Sequence, residues 1–190
     1  MHPVILASSS PRRKELLQFL QIPFTTVNTN VDESVASHLD PEQVVRELAL
    51  RKAKAAAVDF PDSCVIGSDT VVAIDNEILG KPVDRNDASR MLMLLSGRTH
   101  CAYTGVALVQ NDRFTVFAEK THVTFWDLQE EELKTYLDSG EPFDKAGSYG
   151  IQGFGSLFVK KIDGDYFTVV GLPVSRLARE LKAFTPNPVE

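Results

Sequence analysis

The first twenty residues leave few folds open to this chain. Val4-Ile5-Leu6-Ala7 is a continuous apolar run, which reads as a buried strand. Ser8-Ser9-Ser10-Pro11 follows at once. Ser10 suits a helix N-cap, because its hydroxyl can accept from a backbone N–H that the first turn leaves unpaired. Pro11 suits the first helical position, where no N–H is needed. Strand, tight turn and helix are therefore predicted in immediate succession, with the helix running through Leu16-Leu17 to about Leu20. Residues 22–27 read as a second strand.

The rest of the chain continues to mix the two periodicities. Residues 28–39 are polar and irregular and read as a loop. Asp40-Pro41 repeats the cap-plus-proline signal, and a helix to about Ala57 would carry Val45, Leu48, Ala49, Ala53 and Ala56 on one face. Residues 63–67 and 70–74 are apolar and β-branched, with a candidate turn at Ser68-Asp69 between them. Asp75-Asn76 is a turn, and 77–79 returns as a hairpin arm. Asp84 or Asn86 caps a helix ending near Leu95, with Gly97 as its stop. Residues 99–109 and 114–125, joined at Asn111-Asp112, form a long hairpin. Asp127 with Glu130 has the capping-box spacing for a helix to Asp138, ended by Gly140. Residues 140–155 hold five glycines and little periodicity. Two strands, 157–162 and 166–170, are expected around Asp163-Gly164-Asp165. Leu172-Pro173 opens a last helix to about Phe184, and residues 185–190 read as a frayed tail. The order predicts an α/β or mixed α+β fold around a mixed sheet, without repeats.

Composition narrows the function classes. In 190 residues, 43% are hydrophobic and 24% charged, which excludes an intrinsically disordered chain. Twenty Lys and Arg against 26 Asp and Glu leave a net charge of −6. That argues against a general nucleic-acid binder, which needs a basic face, but not against one small anion in a local basic pocket. No apolar run is long enough to span a bilayer, and the first residues lack a signal-peptide pattern, so a cytoplasmic protein is expected. Cys64 and Cys101 are expected to be buried free thiols.

The chemistry-bearing residues are scattered. Ser8-Ser9-Ser10-Pro11-Arg12-Arg13 puts three hydroxyls and two guanidiniums at a helix start, where free N–H groups attract anions. The same residues also fit a capped surface helix with two solvated arginines. Asp69 lies between apolar runs, and a carboxylate in such surroundings needs a partner or a task; it suits a metal ligand or a general base. Lys52 falls on or beside the apolar face of its helix, whereas Arg51 and Lys54 point elsewhere. A snorkelling lysine and an ammonium aimed at a ligand both fit. Gly80-Lys81-Pro82 places Lys81 at a strand end but lacks the phosphate-loop pattern. Asp32-Glu33 sits in the polar loop. Gly150-Ile151-Gln152-Gly153-Phe154-Gly155 lacks the dinucleotide spacing; it suits a hairpin entry or a loop in which Gln152 reads a polar edge. The histidines show no metal-binding spacing. Two or three carboxylates, several cations and a hydroxyl-rich helix start together suit a metal-bound polyphosphate.

These residues resemble those of the Maf family of nucleoside triphosphate pyrophosphatases. The resemblance rests on Leu6-Ala7-Ser8-Ser9-Ser10-Pro11-Arg12-Arg13, Val31-Asp32-Glu33, Lys52-Ala53, Gly67-Ser68-Asp69-Thr70-Val71, Gly80-Lys81-Pro82, Ser96-Gly97-Arg98-Thr99-His100 and Gly171-Leu172-Pro173. Its most specific stretch runs from Ser139-Gly140-Glu141-Pro142-Phe143-Asp144 through Lys145-Ala146-Gly147-Ser148-Tyr149 to Gly150-Ile151-Gln152-Gly153. It covers nearly the whole chain, in order.

The resemblance implies hydrolysis of a nucleoside triphosphate to the monophosphate and pyrophosphate, with a divalent cation such as Mg²⁺, Mn²⁺ or Co²⁺. It implies one domain over residues 1–190 with a two-lobed mixed sheet and flanking helices, similar to inosine triphosphate pyrophosphatases, and a site in the central cleft. It implies a cytoplasmic protein, often a homodimer. Carried over residue by residue, Asp69 is the proton acceptor. Ser8, Arg13, Lys52 and Lys81 bind phosphate, and Glu33 with Asp69 holds the metal. Arg12, Thr70 and Gln152 occupy the positions that track substrate choice. The subgroup acting on 7-methyl-GTP typically has tryptophan, glutamine and glutamate there, so this chain is similar to the dTTP/UTP pyrophosphatases, with modified pyrimidine nucleotides as further substrates. The alternatives are a 7-methyl-GTP or ITP pyrophosphatase, and a nucleotide-binding regulator of septum formation.

Overall fold

A computed structural model describes residues 3–75 and 77–184. Its elements run β1 (Val4–Ala7), α1 (Pro11–Gln18), β2 (Phe24–Val27), α2 (Pro41–Ala57), β3 (Cys64–Ile74), β4 (Glu77–Leu79), α3 (Arg85–Leu95) and β5 (Thr99–Gln110). They continue with β6 (Arg113–Phe125), α4 (Glu130–Asp138), β7 (Val159–Asp163), α5 (Tyr166–Val170) and α6 (Val174–Phe184). Between α4 and β7 the chain makes three short 3₁₀ turns, Glu141–Asp144, Ala146–Ser148 and Gly153–Phe158. The seven strands form one sheet in the order β2-β1-β3-β5-β6-β7, with β4 paired to β3 off that path. β1 pairs parallel with both β2 and β3, while β4 and β7 add antiparallel. The sheet is therefore mixed, as predicted.

The chain groups into two compact units. One holds the residues up to Asp69, Thr104–Glu119 and those from Gly171 onward; the other holds Thr70–Tyr103 and Lys120–Val170. β3, β5 and β6 contribute residues to both.

In the first unit, α2 lies directly on the sheet. Its Ala49, Ala53 and Ala56 pack against Ile5, Ala7, Val65, Ala107 and Val109. Small side chains let the helix backbone approach, and two glycines complete the fit. A Cβ at Gly67 would stand 2.2 Å from the Ala49 carbonyl oxygen, and one at Gly105 2.2 Å from that of Val45. Asp40 and Gln43 form the helix's capping box, with Pro41 at the first turn. Ser10 caps α1 by accepting from the Arg13 N–H.

The second unit is built on aromatics. Phe125 meets His100, Tyr149 and Phe158, and Phe158 meets Tyr136 edge-on. Tyr136, Phe125 and His100 are fully buried. Edge-to-face contacts bring the positive ring edge to the negative face.

Several expectations are corrected. β3 is continuous, so Ser68-Asp69 is not a turn; pairing with β1 as far as Gly67 carries the strand forward in extended conformation. The expected strand at 166–170 is helix α5. Asp165 decides this, because its carboxylate accepts from the Thr168 N–H at 2.7 Å and from the Thr168 hydroxyl at 2.8 Å, a cap that outweighs the β-branched composition. β7 starts at Val159, and Leu157-Phe158 belongs to the preceding 3₁₀ turn. α4 starts two residues beyond Leu128, with Gln129 as N-cap and its N–H bonded to the Glu132 carboxylate. Asp127 instead packs on Gly97, whose φ of 68° ends α3. Cys64 is buried, its thiol pushed up to about 12 by desolvation. Cys101 is only partly buried, because it falls on the half-covered side of β5. Asn76 and the tail from 185 lie outside the described residues.

Candidate active site

The packing of α2 on β3 places the central residues. Side chains alternate along a strand, so Gly67 and Asp69 share one face. Gly67 is where the α2 backbone touches β3, and Asp69 therefore faces the same helix. Lys52 stands beside Ala53, the residue that closes on Gly67. Its Nζ reaches Asp69 Oδ1 at 2.6 Å and Glu33 Oε1 at 2.7 Å. The Lys52 and Asp69 side chains are 12% and 11% exposed, whereas Glu33 is 59% exposed. One half-buried ammonium thus gathers a strand carboxylate and a loop carboxylate.

Glu33 is delivered by the 28–39 loop, and the loop by Arg51. The Arg51 guanidinium donates from Nη1 to the carbonyls of both Asp32 and Ser34, one on each side of Glu33. The Asp32 carboxylate folds onto the Ser34 N–H at 2.9 Å and hydroxyl at 2.7 Å, which holds it below the ordinary carboxylate range. The helical spacing places Arg51 elsewhere than the apolar face that carries Lys52, and gives it no role. The signal it did carry was adjacency to Lys52 on a helix facing the loop.

Arg13 forms the second part. Its Nε donates to the Gly171 carbonyl at 2.9 Å and its Nη1 to that of Ser68 at 2.9 Å. The Ser68 hydroxyl meets the same Gly171 oxygen at 3.1 Å. Burial lowers the Arg13 guanidinium from its ordinary value, and the Asp69 charge opposes that shift. The Ser8 hydroxyl accepts from the Ser10 N–H at 3.2 Å, tightening the turn into α1. Arg12, next to Arg13, is half-buried.

The first unit therefore brings together Asp69, Lys52 and Glu33, with Arg13 fixed beside Ser68 and close enough for its charge to act on both carboxylates. Ser8 and Arg12 belong to the same unit. Thr70, Lys81 and Gln152 belong to the other. Thr70 follows Asp69 on β3 and is half-buried; Lys81 is exposed just past β4, and Gln152 is exposed ahead of the 3₁₀ turn Gly153–Phe158.

Among the described residues no cluster of three or more His, Cys, Asp or Glu could enclose a metal. The protein offers two carboxylates converging on one cation position. A divalent ion held there would need further oxygen ligands from outside the protein.

Known structures identify the fold class. The Ham1 protein of Staphylococcus aureus superposes over 96% of this chain and 100% of its own, with a TM-score of 0.58 at 12% identity. That of Coxiella burnetii gives 0.55 at 13%, with the same coverage. The mixed sheet with flanking helices is thus a Ham1-like α/β fold. Within that fold the chain belongs to the Maf family: the profile of Maf-like proteins matches residues 3–184. Two curated relatives, from Bacillus cereus and Bacillus anthracis, are 54% and 53% identical over 184 residues, which is 97% of this chain and 96% of each relative. Both are dTTP/UTP pyrophosphatases. Among the described residues no helix is long and apolar enough to cross a membrane.

Proposed function

We propose that this chain is a nucleoside triphosphate pyrophosphatase acting on dTTP and UTP. Water attacks the α-phosphorus, its oxygen forms the new P–O bond, and the bond to the bridging oxygen breaks to release pyrophosphate and the monophosphate. The observation that carries this reading is the gathering of Asp69 and Glu33 on Lys52, with Arg13 fixed nearby. The relatives' substrates support the choice of pyrimidine nucleotides.

Asp69 is the base in this reading. Its carboxylate takes the proton of the attacking water, a role for which the 2.6 Å contact with Lys52 fixes its position. Lys52, Arg13 and Lys81 carry the phosphate charge, and the Ser8 hydroxyl and the N–H groups at the start of α1 add donors. Glu33 and Asp69 are the residues that would hold a divalent cation, which when bound offsets phosphate charge and acidifies water. The cation of Lys52 keeps the two carboxylates together before substrate arrives. Gln152 can donate and accept, so its amide matches the O4 and N3–H edge of uracil and thymine. Arg12 and Thr70 are the accompanying specificity positions. Residues 1–190 act as one pyrophosphatase domain, and a cytoplasmic homodimer completes the proposal.

Pyrophosphate release with Mg²⁺, Mn²⁺ or Co²⁺ tests it across UTP, dTTP, CTP, GTP, 7-methyl-GTP and ITP. Preference for UTP and dTTP is expected. Preference for a purine would keep the reaction and remove the specificity assignment; no release from any nucleotide would remove the enzyme assignment.

A further inference from the structure

Gln152 is exposed, yet the backbone on both sides of it is fixed. The carboxylate of Glu141 accepts from the Phe154 N–H through Oε2 at 3.0 Å and from the Gly155 N–H through Oε1 at 3.2 Å. On the other side, the Gly150 N–H donates to the Tyr136 hydroxyl at 3.1 Å, and that hydroxyl donates to Glu141 Oε1 at 3.1 Å. One carboxylate and one phenol therefore clamp the segment Ile151-Gln152-Gly153 from before and after.

The surrounding glycines are cut to this clamp. A Cβ at Gly155 would stand 2.6 Å from the Gly150 carbonyl oxygen and 2.9 Å from the Tyr136 hydroxyl. Gly153 has a φ of 75°, and a Cβ there would be 2.9 Å from Glu141 Oε2. Tyr136 comes from the buried face of α4 and has no exposed surface. Burial pushes its phenol well above the ordinary range, so the hydroxyl keeps the proton it donates.

We infer that Glu141 and Tyr136 are positioning residues for base selection: they set the backbone from which the Gln152 amide meets the nucleobase. This rests on the reading of Gln152 as the group that pairs with the pyrimidine edge. Neither clamp residue needs to touch substrate. A bidentate carboxylate with three donors on it is stiff, and an amide that must discriminate uracil from cytosine gains from a fixed origin. Glu141→Gln turns one acceptor oxygen into a donor facing an N–H, so the clamp opens on one side. Tyr136→Phe removes the relay to Gly150 and leaves the ring packing in place.

The experiment measures kcat and KM for UTP and CTP with the wild-type protein, Glu141→Gln, Tyr136→Phe and Gln152→Ala, together with thermal midpoints. A site that loses pairing to a base edge loses discrimination of roughly ten-fold or more. Gln152→Ala is expected to collapse the ratio of kcat/KM for UTP over CTP by that amount. Glu141→Gln should do the same, mainly by raising KM for UTP, with Tyr136→Phe smaller in the same direction. Combining Glu141→Gln with Gln152→Ala should cost no further discrimination, because both changes remove one function. If Gln152→Ala collapses the ratio while folded Glu141→Gln and Tyr136→Phe keep it, the clamp is structural and the inference falls alone. If Gln152→Ala keeps the ratio, the base-reading assignment falls and the inference with it. Should Glu141→Gln fail to fold, Tyr136→Phe decides between the same outcomes.

Discussion

The 28–39 loop and the 140–158 segment each carry one residue of the proposed site, and they hold it by different physics. Glu33 is exposed on a loop tied down by charge: the Arg51 guanidinium on the Asp32 and Ser34 carbonyls, and the Lys52 ammonium on Glu33 itself. Gln152 is exposed on a segment tied down by burial. Tyr149, Ile151 and Gly155 are buried around it, and the Gly150 N–H donates to fully buried Tyr136, while the Glu141 bonds to Phe154 and Gly155 lie nearer the surface. Exposed ion pairs contribute little to stability and weaken with salt. Buried hydrogen bonds are costly to break, because the groups left behind have no water to turn to. The first construction lets a carboxylate respond to an arriving cation and phosphate; the second presents a side chain from a fixed place.

The sharpest test of this contrast is to change the charged cluster and look for damage to chemistry without damage to the fold. Asp69→Asn keeps the shape and one acceptor oxygen for Lys52 while removing the base. Loss of a general base lowers turnover by roughly 10² to 10⁴-fold. Pyrophosphate release should fall by that much, while the thermal midpoint holds, since the amide still offers Lys52 an acceptor and one charge fewer is buried. Full activity in this variant would end the assignment of Asp69.

The buried construction should instead fail in acid. His100 bonds through Nε2 to the Tyr149 hydroxyl at 2.8 Å, and its Nδ1 has no hydrogen-bond partner among the described residues. Burial lowers its pKa from 6.5 to about 3. The folded state therefore resists a proton that the unfolded chain accepts. The stability is fully present above pH 6.5 and is lost as the pH falls towards 3, at about 1.4 kcal/mol per pH unit. Denaturant unfolding at pH 7, 6 and 5 checks this. His100→Gln, which can still bond Tyr149, should flatten the dependence; parallel curves for the two proteins would refute it.

A smaller effect is expected at Gly155. Gly155→Ala drives a methyl towards the Gly150 carbonyl and the Tyr136 hydroxyl. Overpacking of this kind costs about 1–3 kcal/mol, and for a chain of this size that lowers the midpoint by several degrees. Discrimination of UTP from CTP should fall with it. An unchanged midpoint would mean that the segment yields, and the contrast with the 28–39 loop would weaken.

Much of this architecture was legible in the sequence, for definable reasons. Caps and apolar runs are local, so β1, α1 and α2 followed from Val4–Ala7, Ser10-Pro11 and Asp40-Pro41 almost to the residue. Lys52 stood out because an ammonium on an apolar face is locally anomalous, and it proved to pair with Asp69 and Glu33. Position 166–170 misled because β-branched composition competes with one capping bond from Asp165, and the bond won. Ser68-Asp69 misled because polar residues inside a strand look like a break when the partners that satisfy them, Arg13 and Lys52, come from distant sequence. Glu141 stood inside the most specific stretch of the resemblance, but nothing local marked it or Tyr136 as a clamp on the Gln152 segment. A glutamate bonded to backbone N–H groups twelve or more residues away has no periodicity to reveal it.

Arg51 gives the mildest perturbation and the most direct reading of the charged loop. Arg51→Lys keeps the charge but replaces a planar fork with a compact ammonium. One ammonium on a flexible stem holds the Asp32 and Ser34 carbonyls less firmly in one geometry, so the loop around Glu33 loosens. Loss of one such hydrogen bond costs about 0.5–1.5 kcal/mol, or roughly two- to ten-fold in kcat/KM. The loss should grow with added salt, because Glu33 and Arg51 are solvent-accessible and the remaining attraction is screened. The thermal midpoint should not follow it. Kinetics of Arg51→Lys and wild type at low and high ionic strength separate the two possibilities: a salt-dependent gap shows the loop to be charge-held, and a gap that salt leaves unchanged shows that Arg51 holds Glu33 by the geometry of its fork alone.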